Sequence, residues 1–443
     1  MSTIAFYTLG CKVNQSDTAS MEKLFVQNGY KVVDFTEQAD VYLINTCVVT
    51  NMGQSKSRKI IHRAARKAGN PLIVVTGCYP QTSPEEVAKI AGVDLLVGNQ
   101  DRKNIVELVN EALNNHPEKA INQVHAFESG FENLAAGVEA TKDRAFLKIQ
   151  EGCNQYCSYC IIPYARGPLR SRSLESIRKE VAGLVQDGFQ EVVLIGIHLG
   201  AYGHETEKAP HLDKAVEAAL SVPGLKRLRL GSLESVEVDE HLLEIMTQDT
   251  RLCPHLHLPL QAGCDKTLKN MHRPYTTAKF KQLLNDIRAK VPGIAITTDV
   301  IVGFPGETPE DFAATKKFAE ECNFSKIHVF PFSRRQGTPA ATMAEQVPEN
   351  EKQARAAELG ALDNELHKAY CQSLVGNTYE VLWEMRNKEG FWEGLTPNYV
   401  RTFCQSSENL TGKILPIKIE KTFLDGVLGD IIQFTRQGGE NND

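Results

Sequence analysis

The chain has 443 residues, of which 42% are hydrophobic and 23% are charged, and its formal net charge is −6. This length exceeds what one compact core supports, so we expect two or three domains. The negative balance excludes a generally basic nucleic-acid binder, so any RNA affinity must come from local patches. No apolar run approaches the roughly 18 residues of a membrane span, and no signal peptide opens the sequence. We expect a cytoplasmic protein without a membrane partner.

The eleven cysteines are the most unusual feature of the composition. A reducing compartment disfavours disulfides, so clustered cysteines indicate metal ligands or reactive thiols. Six of the eleven form two groups of three. The other five share no spacing, and we interpret them as small core residues, with Cys264, near Gln261, as the candidate exception: Cys253, Cys264, Cys322, Cys371 and Cys404.

Strand and helix alternate over residues 1–120. Short apolar runs predict strands at 4–9, 30–35, 41–45, 72–76 and 94–97, with helices between them at 17–27, 53–67 and 84–90. This alternation is typical of βαβ units and a parallel sheet. Polar residues without clear periodicity follow, and we interpret 121–143 as a linker.

A second alternating region covers residues 144–372. Six apolar runs predict strands at 146–149, 191–197, 227–230, 255–258, 295–302 and 326–330. Six strands with intervening helices favour a partial (βα)6 barrel, smaller than the eight-stranded form. A long charged helix is expected from Pro348 to Ser373. The strand-rich tail at 373–437, with its Gly and Asn turns, predicts a small β-barrel. The fold class is therefore α/β with a third, all-β module.

Three central cysteines stand close together after the first predicted barrel strand. Cys153, Cys157 and Cys160 lie in the segment Gly-Cys-Asn-Gln-Tyr-Cys-Ser-Tyr-Cys at 152–160. Three thiolates on one tight loop can hold three irons of a [4Fe–4S] cluster and leave the fourth iron open. A zinc site has four ligands and usually pairs two such arms. No fourth ligand stands nearby, which favours a cluster over a zinc knuckle or chance clustering.

This spacing resembles the signature of the radical S-adenosylmethionine (SAM) superfamily. The resemblance implies that SAM chelates the open iron and that an electron from the cluster cleaves SAM to a 5′-deoxyadenosyl radical. Tyr159 is expected beside the SAM adenine. Further candidates for SAM contacts lie near the ends of later strands, with an ordinary turn or cap role as the alternative for each: Gly196, Ser232, Glu234, Gln261 and Asp299.

The other three cysteines are distant in sequence but share one context. Cys11, Cys47 and Cys78 follow the apolar runs of Tyr-Thr-Leu-Gly-Cys, Leu-Ile-Asn-Thr-Cys and Val-Val-Thr-Gly-Cys. Because parallel strands point the same way, we expect all three thiols at the carboxyl edge of the sheet, where open α/β sheets bind ligands. They predict a second [4Fe–4S] cluster with one open iron. Three unrelated buried cysteines are the alternative.

Several segments together resemble the radical SAM methylthiotransferase family over nearly the whole chain. They are Thr-Leu-Gly-Cys-Lys-Val-Asn at 8–14, Ile-Asn-Thr-Cys at 44–47, Thr-Gly-Cys-Tyr-Pro-Gln at 76–81, the segment 152–167 around the central triplet, and Asp-Val-Ile-Val-Gly-Phe-Pro-Gly-Glu at 299–307. The resemblance implies that the N-terminal, auxiliary cluster carries or receives sulfur and that the central cluster makes the radical. It also implies that the tail is a TRAM-like RNA-binding domain.

Three branches of this family differ in substrate. Gly-Cys-Tyr-Pro-Gln at 77–81, Ile-Ile-Pro-Tyr-Ala-Arg-Gly at 161–167 and Gly-Ile-His-Leu-Gly-Ala-Tyr-Gly at 196–203 resemble the bacterial branch that methylthiolates C2 of N6-threonylcarbamoyladenosine at position 37 of tRNA, consuming two SAM. The alternatives are N6-isopentenyladenosine in tRNA, a ribosomal-protein aspartate or, without catalysis, an iron–sulfur scaffold or electron carrier. As partners of a monomeric enzyme we expect the tRNA anticodon loop, an electron donor such as a flavodoxin or ferredoxin, and a sulfur donor.

The helix after Cys47 is the main candidate for binding RNA. Residues 51–70 contain no acidic residue, and four basic side chains share one helical face: Lys56, Lys59, Arg63 and Arg66. They predict a phosphate-binding stripe, with a solvated charged face as the alternative.

Two more groups are candidates for RNA contacts. Arg166 and Arg172, just after the central triplet, are expected to touch RNA or to close the SAM site. In the tail, Tyr399 and Arg401 alternate on a predicted strand with Phe403, so they are expected to share one face that stacks on loop bases. A core position is the alternative for both aromatic residues.

Overall fold

The computed structural model describes residues 1–115, 119–128, 130–137, 143–206 and 211–432. Residues 129 and 138–142 of the predicted linker and residues 433–437 of the predicted tail module lie outside the described residues. No helix in the described ranges is both long and apolar enough to span a membrane.

The N-terminal unit alternates strands and helices as the sequence predicts. Its elements are β1 (Thr3–Thr8), α1 (Lys12–Gln27), β2 (Lys31–Val33), β3 (Val41–Thr46), α2 (Asn51–Ala65), β4 (Leu72–Gly77), α3 (Cys78–Thr82), α4 (Pro84–Ala88), β5 (Leu95–Val97), α5 (Ile105–Asn115) and β6 (Ile121–Gln123). The strands form one parallel sheet in the order β2-β1-β3-β4-β5-β6. β3 and β4 are buried along their whole length because an apolar core lies on each face of the sheet.

Two elements of this unit differ from the prediction. α1 begins at Lys12, directly after Cys11, and not at Asp17. Cys11 precedes the helix without a side-chain cap, so no capping residue marks this start in the sequence. β6 lies within 121–143, which was wrongly expected to be linker throughout; it pairs with β5 and extends the sheet.

The central unit contains all six predicted strands. Its elements are β7 (Arg144–Glu151), α6 (Ile162–Arg166), β8 (Arg170–Ser171), α7 (Leu174–Gln186), β9 (Glu191–Gly196), α8 (Leu212–Leu220), β10 (Arg227–Leu230), α9 (Glu240–Gln248), β11 (His255–His257), α10 (Asp265–Asn270), α11 (Thr277–Lys290), β12 (Ala295–Val302), α12 (Pro309–Cys322), β13 (Lys326–Pro331) and α13 (Glu349–Ser373). One sheet carries β10-β9-β7-β8 and a second carries β11-β12-β13. Bridges at Leu228–Leu252 and Ser232–His257 join the two sheets, which completes the predicted partial barrel.

Side chains alternate between two environments along the barrel strands. Leu228, Leu256 and Val300 belong to the large core under the surrounding helices. Their neighbours point to the opposite side, which is the lumen of the partial barrel. There Val193 and Ile195 of β9 pack against Val13 of α1, so the N-terminal unit covers part of the lumen.

The C-terminal unit is a closed five-stranded barrel, as predicted. Its strands are β14 (Thr378–Arg386), β15 (Trp392–Leu395), β16 (Arg401–Cys404), β17 (Ile414–Phe423) and β18 (Gly426–Ile431), paired in the order β14-β15-β16-β18-β17. Two arginines of β10 hold it against the central unit. Arg229 donates to the carbonyls of Thr396 at 3.2 Å and Pro397 at 2.9 Å, and Arg227 donates to that of Leu395 at 3.0 Å.

Candidate active site

The three N-terminal cysteines lie at the carboxyl edge of three adjacent strands. Cys11 follows β1, Cys47 follows β3, and Cys78 follows β4 as the first residue of α3. Gly10 has φ +110°, and a Cβ on it would lie 3.2 Å from the Sγ of Cys47. Only glycine therefore leaves room for a bulky group between these thiols.

Two buried side chains contact the Sγ of Cys78. The Nε of Arg166 donates to it at 3.3 Å and the Nδ2 of Asn99 at 3.5 Å. A guanidinium beside a thiol stabilises the thiolate form, which is the form that binds metal. Burial raises the pKa of Cys47 to about 11, so its thiol stays protonated until a metal displaces the proton. This donor set fits a thiolate-bound [4Fe–4S] cluster.

A buried ionic network supports Arg166. Its Nη1 lies 2.9 Å from the Oδ2 of Asp17 and 3.1 Å from the Oε1 of Glu151. Lys148 and Arg102 contact the same two carboxylates. Burial alone would raise the pKa of Glu151, but these three cations hold it well below its usual range. The network joins α1, β7 and α6, and so fixes the N-terminal unit against the central one.

The predicted RNA contacts of Arg166 and Arg172 are wrong. Arg166 is completely buried in the network, and Arg172 is 3% exposed. The guanidinium of Arg172 donates to the carbonyls of Lys148 at 3.0 Å and Leu134 at 2.8 Å. With their donors directed inward, neither group is available to a phosphate at the surface.

The central triplet occupies the loop between β7 and α6. Gly152 precedes it with φ +80°, and a Cβ there would lie 1.8 Å from the carbonyl oxygen of Pro168. Arg273 donates from Nη1 to the Sγ of Cys157 at 3.1 Å, and Glu234 pairs with its Nη2. Burial raises the pKa of Cys160 to about 12. The thiol of Cys160 therefore stays protonated until a metal displaces the proton, and the guanidinium of Arg273 lies beside Cys157 of the same loop.

His198 is the second cationic neighbour of the central triplet. Its Nδ1 lies 3.7 Å from the Sγ of Cys153, and its Nε2 lies 2.6 Å from the Oε1 of Glu237. Burial alone would lower the pKa of His198, but the contacts with Cys153 and Glu237 raise it to about 10. Each triplet therefore consists of three thiols with a buried cationic side chain in contact with at least one of them.

A cavity of about 240 Å³ lies between the two triplets. Cys160 lines one wall, and Val49 and Thr50, just after Cys47, line another. The aromatic side chain of Phe330 also lines it and is 49% exposed. A planar group that enters this cavity contacts Cys160 of the central triplet, the segment just after Cys47 and an exposed aromatic ring.

The six residues predicted to contact SAM occupy different places. Tyr159, Gln261 and Asp299 line the cavity together with Cys160. Glu234 lies behind Arg273 and acts on Cys157 through it.

The structure places the other two candidates outside the cavity lining. A Cβ on Gly196 would come within 2.8 Å of the side chain of Gln150, so this glycine is required by protein packing. Ser232 forms the bridge that joins the two barrel sheets.

Several functional residues escaped the sequence analysis. Asn99 and Arg273 contact thiols from loops that carry no motif, and no pattern in the sequence marks them. His198 lies in the segment 196–203, which carries the family resemblance. That resemblance could have indicated His198 as a functional residue.

The predicted RNA-binding residues of α2 lie on the surface. All four basic side chains are exposed: Lys56, Lys59, Arg63 and Arg66. Arg401 is exposed on β16 and pairs with Asp425 at 3.1 Å.

The strand-face prediction for Tyr399 is wrong. Tyr399 has φ +65° and lies in the turn before β16. Its ring stacks on the ring of His255 of β11, with 4.7 Å between the ring centroids, so Tyr399 faces the partial barrel of the central unit. Phe403 is completely buried, which is the core alternative.

The fold and the central triplet define a radical SAM enzyme. The protein-family sequence model described as "Radical SAM superfamily" matches residues 147–319. The family model described as "Uncharacterized protein family UPF0004" matches residues 3–98. The radical SAM methyltransferase TsrM from Kitasatospora setae, solved with cobalamin and a [4Fe–4S] cluster, has a TM-score of 0.57 at 16% identity and covers 77% of each chain. The cobalamin-dependent enzyme OxsB has a TM-score of 0.54 at 11% identity, covering 82% of this chain and 62% of its own. These two likenesses concern the fold.

Sequence relatives narrow the class further. Two of them are named "Threonylcarbamoyladenosine tRNA methylthiotransferase MtaB". The Bacillus subtilis protein is 43% identical, and the match covers 95% of this chain and 94% of that protein. The Aquifex aeolicus protein is 38% identical, and the match covers 90% of this chain and 95% of that protein. The Akkermansia muciniphila "tRNA-2-methylthio-N(6)-dimethylallyladenosine synthase" is 34% identical over 95% and 97%. The chain belongs to the radical SAM methylthiotransferase family, whose cofactors are SAM and [4Fe–4S] clusters.

Proposed function

We propose that this enzyme methylthiolates C2 of N6-threonylcarbamoyladenosine at position 37 of tRNA. The observation that carries the proposal is the cavity between the two cysteine triplets, with Val49 and Thr50 on one wall and Cys160 on the other. A base splayed out of an anticodon loop can enter such a cavity at modest cost. The relatives of 38–43% identity that bear the MtaB name support the choice of nucleoside.

The residues of the chain have separate tasks in this proposal. Cys11, Cys47 and Cys78 hold the auxiliary cluster, and Cys153, Cys157 and Cys160 hold the radical SAM cluster. When bound, these clusters and SAM supply the sulfur, the methyl group and the radical. Tyr159 and Gln261 position SAM beside Cys160. Arg166 and Arg273 each place a buried positive charge against one thiolate group.

The tRNA contacts use surfaces outside the cavity. Four exposed basic side chains on α2 and at its C-cap bind phosphates: Lys56, Lys59, Arg63 and Arg66. The C-terminal barrel acts as a TRAM-like RNA-binding domain over 373–437, with Arg401 exposed on β16. The N-terminal domain spans 1–120 and the radical SAM domain 144–372. The enzyme works as a cytoplasmic monomer with a flavodoxin- or ferredoxin-type reductant and a separate sulfur donor.

A reconstitution assay tests the proposal. Anaerobically reconstituted enzyme, SAM and a chemical reductant are incubated with tRNA that carries threonylcarbamoyladenosine, and the nucleosides are analysed by mass spectrometry. We expect the 2-methylthio product with the wild type and with Cys264→Ala, a control outside both triplets. Cys47→Ala should cleave SAM but form no product. Product from isopentenyladenosine tRNA alone, or normal product from Cys47→Ala, would contradict the proposal.

A further inference from the structure

Three polar side chains form a group on the lumen side of the barrel, adjoining the cavity. His257, Asp299 and His328 come from the neighbouring strands β11, β12 and β13, and their potential ligand atoms all lie within 4.8 Å of one another. Asp299 lies two residues before Ile301, and His328 lies two residues before Phe330; Ile301 and Phe330 both line the cavity. Of the three, Asp299 lines this cavity directly, whereas His328 lines a second cavity of about 370 Å³ beside the C-terminal barrel. Because side chains alternate along a strand, the three side chains share the lumen side and together form the polar floor of the lumen.

A chain of hydrogen bonds orients two members of this group. The Nε2 of His255 lies 3.1 Å from the Oγ1 of Thr297, which lies 2.8 Å from the Nδ1 of His257. The Nε2 of His257 lies 3.2 Å from the Oδ1 of Asp299. One arrangement of protons satisfies every link. The Nε2–H of His255 donates to Thr297, and the hydroxyl of Thr297 donates to the Nδ1 of His257. The Nε2–H of His257 then donates to the carboxylate of Asp299. Asp299 is thereby held as an acceptor that faces the lumen.

Two polar side chains here, His328 and Lys12, form no hydrogen bond or ion pair with any residue in the described part of the chain. His328 is exposed to the lumen, and partial desolvation lowers its pKa, so at neutral pH its ring is uncharged and offers one N–H. Lys12 forms no ion pair with a described residue and stands 5.9 Å from the ring of Phe146 and 5.7 Å from that of Tyr399. The floor thus offers a carboxylate acceptor and a neutral N–H donor, and the ammonium group of Lys12 stands against the rings of Phe146 and Tyr399.

We infer that this floor binds the threonylcarbamoyl substituent of the acceptor adenosine, an inference that rests on the proposed function. The substituent carries a urea N–H and a hydroxyl, which suit Asp299, and a carbonyl, which suits the N–H of His328. Its carboxylate requires a cation, which Lys12 supplies. A hydrocarbon substituent could form a hydrogen bond or ion pair with none of these groups, and a site built to hydrogen-bond its substrate rejects such an analogue strongly. His257, Asp299 and His328 are therefore specificity-determining residues.

A divalent metal ion is the competing occupant of the same three side chains, since two histidines and one carboxylate are a common ligand set. The hydrogen bonds of His257 argue against it. Both ring nitrogens are already engaged, Nδ1 with Thr297 and Nε2 with Asp299, so neither nitrogen can bind a metal without breaking the chain.

Binding measurements test the inference apart from catalysis. Reconstituted enzyme without reductant is titrated with the same tRNA bearing threonylcarbamoyladenosine, isopentenyladenosine or plain adenosine. We expect the wild type to prefer the threonylcarbamoyl form, and His328→Phe to reduce that preference by about 10- to 100-fold, as expected when one or two hydrogen bonds are removed. His328→Asn keeps an N–H donor and should restore part of it. His241→Phe, a surface histidine paired with Glu217, should behave as wild type.

Each other outcome decides against the inference. If His328→Phe keeps the wild-type preference, the floor does not read the substituent, while the proposed function stands. If the wild type binds and modifies only isopentenyl tRNA, both fail. One equivalent of zinc or manganese that binds the wild type but not His328→Phe would show a metal site instead. Iron content and circular dichroism serve as folding controls for every variant.

Discussion

One buried guanidinium connects the two cysteine triplets. Arg166 ends the short helix that begins just after Cys160, and its Nε donates to Cys78 of the other triplet. The helix itself packs against α3, and Ala165 accepts a hydrogen bond of 2.8 Å from Asn99. A few residues of covalent chain and one guanidinium therefore link the two triplets.

Removing this guanidinium should harm stability and the auxiliary site together. Arg166→Ala leaves the carboxylates of Asp17 and Glu151 buried with less compensation, which typically costs about 3–5 kcal/mol. We expect a lower midpoint of thermal unfolding under anaerobic conditions and reduced iron content. Arg251→Ala, which breaks an ion pair whose side chains are 36% and 26% exposed, is the control and should cost about 0–1 kcal/mol. Equal effects of the two variants would contradict this role of Arg166.

The burial of Arg166 was beyond the sequence analysis for a physical reason. An arginine after a cysteine motif looks like a surface cation until its partners are known, and Asp17 lies 149 positions away in the chain. The cysteines themselves were predictable because each follows an apolar strand, and parallel strands bring their carboxyl ends together without further information. Tyr399 was misplaced because a positive φ, rare for tyrosine, interrupts the expected alternation.

At the scale of elements, α2 presents a basic surface beside the auxiliary site. Its N-terminus is capped by the hydroxyl of Thr50, which accepts from the amide of Gly53 at 3.0 Å, and Ile61 and Ala64 bury its inner face. The helix is thus firmly held, and its outer face is free to bind phosphates.

Charge reversal on α2 should weaken tRNA binding in a salt-dependent way. For Lys59→Glu with Arg63→Glu we expect a higher Kd, and the slope of log K against log salt should fall in magnitude by about 1 for each phosphate that the helix no longer binds. Fluorescence anisotropy over a salt series measures both quantities. The same reversal at Lys316 and Lys317 of α12, on the helical outer layer, is the control. If both double variants respond alike, α2 is an ordinary solvated face.

The contact between the C-terminal barrel and the central unit contains a pH-sensitive carboxyl group. Burial raises the pKa of Asp143 to about 6, and the nearby Glu384 of β14 adds repulsion. Since an unfolded aspartate titrates near 4, its ionised form is disfavoured in the folded state, and the cost grows as pH rises from about 4 through 6. We expect Asp143→Asn to raise the unfolding temperature at pH 8 and to have a smaller effect at pH 5. A benefit that is equal at both pH values would contradict this.

At the scale of the whole molecule, three units surround one lumen. The N-terminal sheet brings Cys11, Cys47 and Cys78 to its edge, the partial barrel supplies the central triplet, and the C-terminal barrel docks through the turn at 395–397. The sequence predicted these units well because strand and helix periodicities are local properties. It missed β6, which is only three residues long and exists through its pairing with β5. It also missed the contacts between units, which depend on residues far apart in the chain.

The central claim is that this enzyme methylthiolates threonylcarbamoyladenosine in tRNA. The most direct measurement is the nucleoside content of total tRNA from a strain that lacks the gene, complemented with the wild type or with Cys47→Ala. We predict that 2-methylthio-N6-threonylcarbamoyladenosine disappears, that its unthiolated precursor accumulates, and that only the wild type restores it. Persistence of that nucleoside in the deletion strain, or its restoration by Cys47→Ala, would contradict the account.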